Sequence, residues 1–96
     1  MRLGIVVKRP RKAAVFFLRF PSAAAAEEVR AVLEEDGFEV EVEQEPAHWL
    51  VHAHGRIRPD SFDVAERSLE SLAAVWGGRY AGCRLGDFRK SAKHKT

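Results

Sequence analysis

The chain has 96 residues, 46% of them hydrophobic and 31% charged, with a mean hydropathy of −0.28 and a formal net charge of +2. This composition excludes a disordered chain and fits one globular domain with a modest core. There is no apolar run of bilayer length, and a single cysteine, Cys83, rules out an internal disulfide.

The net charge conceals a segregation. Residues 1–12 hold five cations, Arg2, Lys8, Arg9, Arg11 and Lys12. Residues 84–96 hold five more, Arg84, Arg89, Lys90, Lys93 and Lys95, against the single acid Asp87. The stretch between carries six Lys/Arg against thirteen Asp/Glu. Basic arms on an acidic body point to an acidic partner for the arms. The sequence therefore divides into a basic N-terminal segment (1–12), a folded domain (13–85) and a basic tail (86–96). The apolar stretch Leu3 to Val7 is too short for a signal peptide. It would add to a sheet edge, cross to another copy or lie loose. A cytoplasmic protein is expected.

In chain order, residues 13–20, AAVFFLRF, are rich in strand formers and stop at Pro21. Ser22 is placed to cap a helix whose face is Ala25, Ala26, Val29, Val32 and Leu33, closed by Gly37. Residues 38–43, FEVEVE, alternate strictly, with Phe38, Val40 and Val42 on one side and Glu39, Glu41 and Glu43 on the other. A turn at Pro46 leads to a second strand over 48–54, HWLVHAH. Asp60 or Ser61 then caps a second helix with the stripe Phe62, Ala65, Leu69, Leu72 and Trp76. Gly77 and Gly78 end it, and a short strand runs from Tyr80 to Leu85. Trp49 and Trp76 are read as core. The order β-α-β-β-α-β predicts an α+β, ferredoxin-like sandwich: a four-stranded antiparallel sheet, spatial order 4-1-3-2, with two helices on one face.

Three segments carry a resemblance. FFLRFPS, LEEDGFEVEVE and SLAAVWGGRYAG resemble the RraB family, regulators that inhibit ribonuclease E. The similarity runs from about Ala13 to Leu85. The family often continues its last strand as Tyr-Asp-Gly-Trp and an acid, where this chain has Tyr80, Ala81, Gly82, Cys83 and Arg84. The resemblance implies a non-catalytic protein that binds a ribonuclease E-type enzyme outside its nuclease site and slows RNA decay.

The chemistry-bearing residues gather on the hairpin. A two-residue turn at Pro46 and Ala47 sets Glu45 against His48, Glu43 against Leu50, Glu41 against His52 and Glu39 against His54. All face away from the helices, as directly opposed pairs. Glu39, Glu41, Glu43, His52 and His54 are the candidate partner-binding residues. Adjacent imidazoles with a carboxylate could chelate zinc. Cys83, on a strand two places away, is too distant to join them, and no metal or cofactor is assigned. The serines read as caps or helix surface with no evident base, and no phosphate loop precedes a helix. No catalytic residue is expected. An RNA-recognition domain shares this topology, but its third strand would carry aromatics on the open face, where this chain sets glutamates beside histidines. RNA contact, if any, falls to the basic ends: Lys8, Arg9, Arg11, Lys12, Arg89, Lys90, Lys93 and Lys95.

Overall fold

The computed structural model describes residues 12–86. Its elements are β1 (Lys12–Phe20), α1 (Ala23–Glu35), β2 (Glu39–Gln44), β3 (Trp49–Ile57), a single 3-10 turn (Pro59–Ser61), α2 (Phe62–Val75) and β4 (Arg79–Leu85). All strand pairs are antiparallel, in the order β2-β3-β1-β4. This is the expected α+β arrangement, read from the other edge. None of the described helices is long and apolar enough to cross a membrane.

Both helices end by the same device. In α1, Gly37 (φ +98°) lets its N–H donate to the Glu34 carbonyl, and the Phe38 N–H donates to the Leu33 carbonyl, each at 3.0 Å. In α2, Gly77 (φ +79°) donates to Ala74 at 3.1 Å and Gly78 to Ala73 at 2.8 Å. These paired bonds satisfy carbonyls that the helix leaves open and turn the chain into the next strand. At the other end of α1, the Ser22 hydroxyl accepts from the Ala25 N–H at 3.2 Å, as the sequence anticipates. Ser61 sits before α2 without making such a bond, because the Pro59–Ser61 turn already leads the chain into the helix.

The core lies between the sheet and the two helices. Phe16, Leu18 and Phe20 from β1, Val51 and Ala53 from β3, Val29 and Leu33 from α1, and Leu69 and Ala73 from α2 are buried together. Phe16 is its centre, edge-on to Phe38 (ring centroids 6.0 Å apart) and tilted against Phe62 (5.8 Å). Fully burying a side chain of this size contributes about 1.5–3 kcal/mol.

The structure corrects several expectations. Val32, expected on the apolar face of α1, stays 38% exposed. Trp76 is the C-cap of α2 and stays 37% exposed, since the helix turns away at Gly77; Ala73 takes the buried place instead. The strand expected over 48–54 begins at Trp49 and runs on to Ile57. Gly55 permits the extension, since a Cβ there would sit 2.8 Å from the Phe38 ring. Lys12, assigned to the basic segment, is the first residue of β1 and pairs with Ile57.

Candidate functional site

The helices cover one face of the sheet, and the other stays open. Strand register sets its side chains in rows. One row crosses Glu41, His52, Phe17 and Gly82, and the next crosses Glu39, His54, Val15 and Arg84. A third crosses Glu43, Leu50, Arg19 and Arg79. The face is thus graded, with three acids on edge strand β2, imidazoles on β3, an apolar centre on β1 and arginines on β4. Like charges spaced along one strand persist because their side chains reach water.

The hairpin register is the one expected from the sequence: Glu39, Glu41 and Glu43 oppose His54, His52 and Leu50, and the Glu45 N–H donates to the His48 carbonyl at 2.8 Å. Two side-chain contacts run diagonally across the rungs. His52 Nε2 lies 3.0 Å from Glu43 Oε1, and His54 Nε2 lies 3.8 Å from Glu41 Oε1. Each imidazole therefore reaches the glutamate one rung nearer the turn. Sheet twist offsets facing side chains, so the diagonal neighbour comes within reach of a long side chain. A further ion pair ties the turn to the central strand: Arg19 Nε donates to Glu45 Oε1 at 3.0 Å.

The imidazoles are held by more than their acids. Their side chains are only 22% and 13% exposed, for His52 and His54 respectively. The two rings lie nearly parallel, 14° apart, with centroids separated by 6.3 Å. Phe17 meets the His52 ring edge-on at 5.3 Å, and the Arg84 guanidinium carbon stands 5.9 Å from the Phe17 centroid. Glu41, His52 and His54 bring one ligand atom each to within 4.8 Å of one another.

Phe17 and Arg84 were missed as members of this surface. The signal for Phe17 was present: in AAVFFLRF, period-two alternation sends Phe16 inward and Phe17 outward. Arg84, within the strand expected from Tyr80 to Leu85, lies on the open face of β4. Of the cations proposed to touch RNA, Lys12 is exposed at the start of β1. Lys8, Arg9, Arg11, Arg89, Lys90, Lys93 and Lys95 lie outside the described residues, as does the Leu3–Val7 stretch. The Gly86 N–H donates to the Ala13 carbonyl at 2.7 Å, so the described chain begins and ends side by side.

On the helix side of the sheet, a small polar cluster joins α2 to β4. The Tyr80 hydroxyl donates to Glu66 Oε2 at 2.6 Å. Burial, then the bond to Glu66, push the Tyr80 phenol far above its ordinary range. Burial also pushes the neighbouring Cys83 thiol up, while a bond to Tyr80 pulls it down. A raised pKa leaves Cys83 protonated at neutral pH and a weak nucleophile. This cluster fastens the helix to the edge strand.

Comparison with protein-family models, with curated proteins and with solved structures finds no match for this chain.

Proposed function

We propose that this protein is a non-catalytic binding module whose open sheet face, led by Glu39, Glu41 and Glu43, takes a cationic segment of a protein partner. The observation that carries the proposal is the row of three exposed glutamates on an edge strand, with His52 and His54 beside them. Alternate residues on a strand stand about 6.7 Å apart. An extended arginine-rich segment has the same side-chain spacing, so it can meet all three acids in register. Among the described residues β2 is an edge strand, the position from which a sheet can take up an extended segment. The resemblance to inhibitors of ribonuclease E supports an RNA-decay enzyme of that type as the partner. Such enzymes carry arginine-rich segments outside the nuclease site, and binding there would slow RNA decay in the cytoplasm. Converting Glu39, Glu41 and Glu43 together to Gln tests the reading. Capture of an arginine-rich ribonuclease segment should weaken without loss of the fold, and unchanged capture would overturn the docking role.

A second reading rests on the Gly86–Ala13 bond. It joins the two ends of the described chain, and the sequence flanking each end is rich in basic residues. Together they could hold RNA electrostatically, without reading its sequence.

A further inference from the structure

The docking proposal uses the charge of the open face. The placement of its imidazoles carries an inference that goes beyond that reading and stands independently of it. Histidines two apart on a strand share a face, with their backbones about 6.7 Å apart. His52 and His54 hold this relationship on β3, an interior strand fixed on both sides by β2 and β1. Glu41 is the cross-strand partner of His52, and its carboxylate leans toward His54, 3.8 Å from Nε2. Three donors from two paired strands therefore form a triangle with no side longer than 4.8 Å.

We propose that Glu41, His52 and His54 form a binding site for one divalent transition-metal ion, zinc foremost. A tetrahedral zinc bonds imidazole nitrogen and carboxylate oxygen at about 2.1 Å, which places its ligand atoms roughly 3.4 Å apart. Small side-chain rotations bring the triangle to that size while the backbone stays still. Two imidazoles and one carboxylate suit zinc, copper or nickel, whereas magnesium and calcium prefer oxygen ligands throughout. Glu43, 3.0 Å from His52 Nε2, stands where it can supply a fourth ligand. The edge-on Phe17 ring limits the swing of the His52 imidazole and so preorganises the site.

The test is titration of the purified full-length chain with zinc chloride by calorimetry, with cobalt(II) absorption reporting the coordination geometry. Saturable binding of one ion per chain is expected, with magnesium giving none in the same range. His52→Ala and His54→Gln should each weaken zinc binding by roughly tenfold or more. The His54→Gln change keeps a polar side chain of similar length, and circular dichroism confirms that each variant is folded. His48→Ala combined with His94→Ala should bind as the native chain does. Absence of saturable zinc binding below millimolar concentrations would overturn the site. So would undiminished binding by the folded His52→Ala and His54→Gln chains. The measurement involves no protein partner, so its failure leaves the docking reading intact.

Discussion

His52 Nε2 stands 3.0 Å from Glu43 Oε1, although the residue opposite His52 in the ladder is Glu41. The contact is diagonal, and the carboxylate it engages belongs to the rung nearer the turn. A double-mutant cycle on His52 and Glu43, each changed to Gln, should give a coupling of about 0.2–1 kcal/mol. The same cycle on His52 and Glu41 should give a value near zero in metal-free buffer. Urea unfolding measures both. Equal couplings would show that the pairing follows the rungs.

Leu69 and Trp76 lie on the same helical stripe, yet only Leu69 is buried. Leu69→Ala should cost about 2–5 kcal/mol. Trp76→Ala should cost less, because the indole keeps much of its surface in water. Chemical denaturation ranks them, and the reverse order would relocate the core.

The glycine pair after α2 separates two kinds of constraint. Gly77 has a left-handed backbone (φ +79°) and open space around the position a Cβ would take. Gly77→Ala should therefore cost only the conformational penalty, about 1–2 kcal/mol. A Cβ on Gly78 would collide with the Arg19 carbonyl and the Phe20 ring. Gly78→Ala must displace backbone and core together, so its loss of stability should exceed that of Gly77→Ala.

Burial of Tyr80 and Cys83, reinforced at Tyr80 by the bond to Glu66, gives the fold an alkaline weakness. Tyr80 and Cys83 both hold their protons more tightly when folded than when unfolded. Above the unfolded values, about 8.5 for the thiol and 10 for the phenol, the unfolded chain releases protons that the folded chain retains. The associated stability is fully present below those values and is lost as pH rises beyond them toward the folded ones. Stability measured from pH 8 to 11 should fall accordingly, and Tyr80→Phe should flatten the upper part of the fall. A slope unchanged in that variant would remove Tyr80 as its source.

For the basic ends, RNA binding is the measurable quantity. If roughly five phosphates are neutralised, log K should fall with log salt at a slope of about −3.5 for single strands. Replacing Lys8, Arg9, Arg11, Arg89 and Lys90 with Gln should abolish most of that slope. A flat salt response in the native chain would exclude an electrostatic RNA contact.

Much of this molecule could be read from short-range chemistry. Strict alternation in FEVEVE and a turn at Pro46 and Ala47 were enough to set which residues face each other in the hairpin. Ser22 and Gly37 marked both ends of the first helix. What escaped the sequence depended on three-dimensional offsets. Sheet twist shifted each imidazole to the next glutamate. The early turn at Gly77 carried Trp76 out of a stripe that periodicity alone would continue. The apolar middle of the open face also went unread. Phe16 and Phe17 are adjacent in the chain, and only the finished sheet separates the buried ring from the one that meets His52 and Arg84.

The position of β1 in the sheet has a consequence for how the protein is made. Its residues Ala14, Phe16, Leu18 and Phe20 are the first core residues to leave the ribosome, yet both strands that flank it, β3 and β4, are encoded later. Until Trp49 and the residues after it emerge, AAVFFLRF has no sheet partner among the described residues. A nascent chain stalled before that point would expose a short, apolar, strand-forming segment of the kind that self-associates. A chain truncated after the acidic FEVEVE stretch should therefore aggregate, and a chain that extends beyond β3 should escape it.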